Sequence, residues 1–472
     1  MSNHSGSWQF LLIVIVAAAW FQLNQRRFHD SFSPFNLLFL GWVGPLLLST
    51  MTLSSLESSW SFGVWVSLSW TTTALIACSY FRRSPPDLSE PGSRFTWDNS
   101  VLAALKNRKV QQVILISFSV SFLAYVYNEF IRSPIGVPLF ALYSDPTMVG
   151  PAFHEWGISR ESRSWALYLS VPLYLQSGLV YMIGRLKPQG TGKFWIAMSA
   201  LYPVMAILKL NRTNLITTLV VLIIAEHYLD KFSRTDVRRL RPRQFVRRYP
   251  YLSVSLLTIV GTMFLASQFV QLRNGFDSSD AFQAVVGTDI RVYKPIDGFL
   301  SEVYEYFALP WQNFADTFEH YRPEIRLGVG FFRPVFSLLG RGQAVDDALD
   351  RIGFDPSLGP ANTYPFLTLV YMELGMVGIV VCPLVYGLFV NWIYARFRRE
   401  PNFLNFCFYL HMPIAWMWLF SSSAFIGLHF YLTLAYLWAV NHYYRNHCIQ
   451  PHRSRDASCS TGPLHKPLSG AV

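Results

Sequence analysis

The chain has 472 residues, of which 52% are hydrophobic, 16% aromatic and only 14% charged, with a mean hydropathy of +0.27. A water-soluble chain carries about a quarter charged residues, so an ordinary soluble enzyme is excluded and lipid must be part of the solvent. The formal charge of +11 would suit a nucleic-acid binder, but its distribution along the chain argues against one.

Crossing the hydrocarbon core takes about 20 mostly apolar residues in a helix. Eleven stretches meet that pattern, at 7–23, 34–53, 60–81, 111–131, 164–184, 194–209, 213–229, 251–271, 366–395, 403–420 and 423–441. Pro45, Pro172, Pro203, Pro383, Gly387 and Pro413 fall inside them, as packed membrane helices tolerate. The first stretch has no basic residue ahead of it and is followed by Arg26 and Arg27, which predicts an uncleaved first helix. Placing the N-terminus outside and the C-terminus inside puts most of the 39 Lys and Arg in inside loops, notably Lys231, Arg234, Arg238, Arg239, Arg241, Arg243, Arg247 and Arg248. That run is expected to face anionic headgroups at about 1 kcal/mol per charge, so no nucleic-acid partner is expected.

The predicted fold is therefore an all-α polytopic membrane protein, N-out and C-in. Residues 1–271 form spans 1–8, 272–361 a long external and partly helical loop, 362–441 spans 9–11, and 442–472 a disordered cytoplasmic tail. In the long loop, Ile296, Phe299, Leu300, Val303 and Phe307 recur at helical spacing, and Trp311, Phe314 and Phe318 continue the pattern. They predict two amphipathic helices broken at Pro310, then a short helix around residues 334–339, together acting as a lid. None of Cys78, Cys382, Cys407, Cys448 and Cys459 lies in an expected external loop, so no disulfide is expected to order that loop. With no CxxC and no HExxH, no metal site is signalled.

Tested as chemistry, Gly190-Thr191-Gly192-Lys193 fails as a phosphate-binding loop, because Lys187 occupies the leading glycine position and Phe194 follows the lysine. Three clusters remain. The first is Lys209-Leu210-Asn211-Arg212-Thr213-Asn214, between two apparently short spans. A turn recessed below the outer surface and bearing two cations is a candidate anion site, and the fork of Arg212 suits phosphate oxygens. The second is external: Arg273 beside Asn274 and Gly275, then Arg291 and Lys294. The third runs from Asn362-Thr363-Tyr364 to Glu373-Leu374-Gly375 and Gly378, where Glu373 is an ionisable group in an apolar stretch. Gly375 and Gly378 are expected to allow close helix approach. Other charges inside spans are few, with Glu129 near an outer end and Glu226 near an inner one.

In this order the clusters resemble the bacterial oligosaccharide repeat-unit polymerases, the Wzy-type O-antigen and exopolysaccharide polymerases. The Asn211-Arg212-Thr213 turn is similar to their Ser/Gly-Arg-Thr element. Tyr306-Phe307, Asn313-Phe314 and Gly330 to Pro334 resemble their external loop. Asn362-Thr363-Tyr364 with Glu373-Leu374-Gly375 and Gly378 resembles their Asn-Thr-Tyr, Asp-Phe-Gly and Gly passage, with Pro365 and Glu373 departing from the commonest form. The resemblance covers about residues 205–395.

It implies a membrane glycosyltransferase-like bundle in the bacterial inner membrane. It also implies a reaction that moves a growing glycan from undecaprenyl pyrophosphate onto an incoming lipid-linked repeat unit. Arg212, Arg273, Lys209 and Arg291 would bind the pyrophosphate, and Asn211, Asn362, Thr363 and Tyr364 would serve substrate or structure. One at most of Glu373, His320 and His429 would be the base. No cofactor or metal is implied. The implied partners are the lipid-linked oligosaccharide, the bilayer, a chain-length regulator and a flippase. An O-antigen ligase shares the arginine logic. A transporter would instead show paired ionisable residues in several spans and repeat symmetry.

Overall fold

The structure, a computed structural model, describes residues 15–23, 30–54, 59–78, 100–141, 165–233, 287–291, 294–321, 365–417 and 428–446, with isolated positions at 261 and 336. Within those stretches, positions 17, 21, 31, 52, 135, 139, 210, 289 and 401 are not described. Among the described residues there are helices and no strand, apart from a single bridge between Ser54 and Thr288.

The helices in chain order are α1 Pro34–Ser49, α2 Phe62–Cys78, α3 Ser100–Lys106, α4 Arg108–Ile131, α5 Trp165–Leu186 and α6 Gln189–Leu208. They continue with α7 Arg212–Ser233, α8 Lys294–His320, α9 Phe366–Arg399, α10 Phe403–Met417 and α11 Leu428–Tyr444. Among the described residues, four segments are long and apolar enough to cross a membrane: Arg108–Ile131, Trp165–Leu186, Gly190–Leu208 and Phe366–Arg399. Pro34–Ser49, Phe62–Cys78, Thr213–Leu229 and Phe403–Met412 are shorter apolar helices. The chain is an α-helical membrane protein.

Local chemistry sets several helix starts. Ser33 accepts from Asn36 N at 3.4 Å ahead of Pro34, and Asn107 accepts from Lys109 N at 2.9 Å. Asn402 accepts from Asn405 N at 2.9 Å. Each satisfies an amide that has no partner inside its helix. π turns occur at Phe39–Val43 in α1 and Tyr127–Ile131 in α4.

Helix α5 packs on α4, α6 and α7, α9 on α2, and α8 on α1. The core is strongly aromatic: Trp42, Trp311, Trp416, Tyr228, Tyr394, Tyr409, Phe118, Phe314 and Phe397 are fully buried. At two helix ends a cation lies over an indole, Lys187 at 5.0 Å from the Trp195 ring and Arg396 at 5.5 Å from the Trp392 ring. Such pairs belong at headgroup level, where an amphipathic ring and a cation are both at home.

Two expectations are corrected here. Helix α8 runs unbroken through Pro310. The proline leaves one backbone carbonyl without its helical donor. Burial of Ala308, Leu309, Trp311, Phe314 and Ala315 on both sides of it outweighs that loss. Of the helices flanking Asn211, α6 has a longer apolar segment than expected, Gly190–Leu208, whereas the apolar part of α7, Thr213–Leu229, is as short as expected although the helix itself runs on to Ser233. The expected helix around 334–339 lies outside the described residues except for Phe336, which is helical.

Candidate functional site

Glu373 sits in α9, two turns from its start, with only 1% of its surface exposed. Two residues later the helix breaks: Gly375 has φ 60° and ψ −146°, a conformation that glycine alone adopts readily. Gly378 completes the break, since a Cβ there would meet the Val370 carbonyl oxygen at 2.6 Å. The two glycines thus let α9 fold back on its own preceding turn, rather than admit a neighbouring helix as the sequence led us to expect.

The C-terminal turn of α8 docks on this part of α9. The Tyr371 hydroxyl lies 3.3 Å from the carbonyl oxygens of both Phe318 and Tyr321, and its ring is 5.0 Å from that of Phe318. Further along, Trp60 Nε1 donates to Gln312 Oε1 at 3.0 Å, Ser61 N to Glu319 Oε1 at 3.0 Å, and Leu53 N to the Tyr304 hydroxyl at 2.9 Å. Trp42 and Trp311 meet edge to face at 4.7 Å. Gln312 Nε2 donates to Asp316 Oδ1 at 2.7 Å. Burial pushes the Asp316 carboxyl above its usual range, against the opposing effects of the Gln312 hydrogen bond and the His320 charge.

A second polar centre lies where α4, α6 and α7 meet. Lys209, 3% exposed, places Nζ 3.2 Å from Glu129 Oε2, 2.9 Å from the Glu129 carbonyl oxygen and 3.4 Å from Ser133 Oγ. Asn128 Nδ2 donates to Glu129 Oε1 at 2.8 Å. The ammonium expected to bind pyrophosphate is therefore already neutralised by a carboxylate of this chain. Asn211 caps α7 by accepting from Asn214 N at 3.0 Å. Arg212 is the first residue of α7, and its side chain lies outside the described residues.

The remaining candidates are dispersed. His320 is exposed at the end of α8, with Nδ1 3.0 Å from the Asp316 carbonyl oxygen. Arg291 is exposed, three residues after Thr288. Arg273, Asn362, Thr363 and Tyr364 lie outside the described residues, as does the side chain of His429. Helix α9, which carries Glu373, and helix α7, which begins at Arg212, share α10 as a neighbour.

The sequence reading missed a third centre, at Asp30. This carboxylate is 0% exposed and accepts from the Tyr228 hydroxyl at 2.6 Å and the Tyr394 hydroxyl at 2.9 Å, both at Oδ2. Phe32 N donates to Oδ1 at 3.2 Å, His227 Nε2 lies 3.4 Å from Oδ1, and Arg398 Nη1 lies 3.9 Å from Oδ2. Arg398 Nη1 also donates to the Tyr394 hydroxyl at 3.1 Å, and the Tyr409 hydroxyl donates to the Phe32 carbonyl oxygen. Nearby in kind, Arg185 meets Glu226 at 2.9 Å with the Tyr181 hydroxyl donating to Glu226 at 2.7 Å. Inside the bundle, the Tyr174 hydroxyl and His411 Nδ1 are 2.6 Å apart, joining α5 to α10. Among the described residues no group of three or more His, Cys, Asp or Glu side chains is placed to share a metal ion.

Compared with protein-family models, with curated proteins and with solved structures, the chain matches none.

Proposed function

We propose that this protein is a membrane glycosyltransferase that polymerises undecaprenyl-pyrophosphate-linked oligosaccharide repeat units at the external face of the bacterial inner membrane. In this reading the chain spans the membrane eleven times with the N-terminus outside. The observation that carries the proposal is Glu373: a buried carboxylate beside a glycine break in a long apolar helix, with the end of α8 docked on the same turn. A carboxylate kept in such a place at a cost in solvation is a candidate for chemistry.

In the reaction, Glu373 takes the proton of the acceptor hydroxyl as that oxygen bonds to the anomeric carbon of the donor glycan. The bond from that carbon to the pyrophosphate oxygen breaks, and undecaprenyl pyrophosphate leaves with the electron pair. Arg212 and Arg273 stabilise the leaving charge. Lys209, bound to Glu129, positions the start of α7 rather than touching the donor. The test is a polymer ladder from cells producing Glu373→Gln, with membrane abundance checked in parallel. Loss of the ladder at normal abundance is expected, and a full ladder sinks the assignment.

A second reading has support of its own. Lys209–Glu129, Arg185–Glu226 and Arg398–Asp30 are ionisable pairs in or beside apolar helices, and α9 is a broken helix, which are features of transporters. Reconstituted vesicles that move a lipid-linked or soluble glycan without lengthening it would favour this reading over the polymerase.

A further inference from the structure

Helix α9 presents an apolar stripe to its surroundings. Val377, Val381, Val385, Leu388 and Trp392 are all exposed and recur every three or four residues, so they share one face. From Val377 to Trp392 the stripe extends about 22 Å at the helical rise, enough to lie along one acyl chain. It ends at a pocket of ≈ 240 Å³ lined by Trp392, Ala395, Arg396, Arg399 and Glu400.

The three arginines at this end have different tasks. Arg398 turns inward to Tyr394 and Asp30. Arg396 and Arg399 are exposed, and among the described residues neither forms an ion pair, although Glu400 lines the same pocket. Arg396 is held over the Trp392 ring, and that ring stacks on Phe389 at 6.1 Å. Two guanidinium groups at the foot of an acyl track, one of them held over an interfacial indole, form a receptor for a lipid phosphate.

We propose that this pocket binds the headgroup of an anionic phospholipid of the phosphatidylglycerol type, with one acyl chain along the Val377–Leu388 stripe. The phosphodiester bridges Arg396 and Arg399, and a headgroup hydroxyl donates to Glu400. With two cations and one carboxylate the pocket has a net charge of +1, which a singly anionic headgroup cancels. A zwitterionic headgroup would bring its own cation and restore the +1. This site is separate from Glu373, and the proposal does not rest on the polymerase reading.

The test is native mass spectrometry of the full-length chain in detergent, with phosphatidylglycerol, phosphatidylethanolamine and phosphatidylcholine of identical acyl chains. Phosphatidylglycerol should be retained about five-fold over phosphatidylcholine, the order of preference that the pocket's net charge of +1 supplies. The double variant Arg396→Gln/Arg399→Gln should fall to parity with an unchanged melting temperature. Lys187→Gln, which removes a cation over another indole, should keep the preference. Parity in the unaltered protein, a preference for phosphatidylethanolamine, or an undiminished preference in the double variant overturns the proposal. Displacement of the lipid by millimolar inorganic phosphate also overturns it, since a free anion is then the ligand.

Discussion

The Tyr394 hydroxyl donates to Asp30 at 2.9 Å across 364 residues of chain, and Tyr228 reaches the same carboxylate oxygen at 2.6 Å. One carboxylate thus ties the segment before α1 to α7 and α9. Deleting a buried charge leaves its donors facing each other with no acceptor, which costs about 3–5 kcal/mol. Asp30→Ala should therefore sharply lower the yield of monodisperse protein. Tyr228→Phe, which removes one donor to a charged acceptor, should cost about 1.5–3 kcal/mol. Thermal melting followed by size exclusion measures both.

At Lys209 and Glu129 the expected pattern is one of mutual dependence. Lys209→Met or Glu129→Gln alone strands a buried charge, at about 3–5 kcal/mol each. The double variant should recover much of that loss, because no charge is left unpaired. If the two losses simply add in a melting assay, the pair is not coupled as described.

The break in α9 predicts a strict requirement for glycine. Any side chain at Gly375 meets a positive φ and should cost about 1–3 kcal/mol. Gly378→Ala forces a Cβ against the Val370 carbonyl and should destabilise as well. Both should reduce membrane abundance, whereas Glu373→Gln, nearly isosteric, should leave abundance intact while removing the proposed polymerisation. Immunoblots of membranes beside the polymer assay separate these outcomes.

Asp316 gives the docking of α8 a pH dependence. Its folded-state carboxyl is raised by burial, so its contribution is most favourable below the usual aspartate value and is lost as pH rises through the raised value. Asp316→Asn keeps an acceptor for Gln312 and removes the charge. Proteolysis within α8 at neutral pH should be slower in that variant than in the unaltered chain. Equal rates would show that the carboxyl does not modulate docking.

How legible these features are in the sequence depends on how local they are. The apolar stretches announce α4, α5, α6 and α9 because nothing but length and composition is needed. The caps at Ser33, Asn107, Asn211 and Asn402 are visible as polar residues ahead of apolar helices. Pro310 misleads because the rule that proline ends a helix is local, while the burial of Trp311 and Phe314 that overrides it is not. Lys209 reads as open to a ligand because its partner Glu129 lies 80 residues upstream on α4. Asp30 gives no signal at all, being one acid in a polar connection until the fold gathers Tyr228, Tyr394 and Arg398 around it.

Helix α6 also acts as a gauge of membrane thickness. Its nineteen-residue segment Gly190–Leu208 spans about 28 Å between Lys187 at one end and Lys209 at the other. The first lysine rests on the Trp195 indole among headgroups, but the second is fixed to Glu129 and cannot stretch outward. A bilayer with longer chains would draw that second end beneath its surface. The helix would then have to tilt or the lipid to thin, at a modest cost per ångström of mismatch. The carboxylate that occupies Lys209 thereby matches the protein to a bilayer of ordinary thickness and disfavours a thicker one.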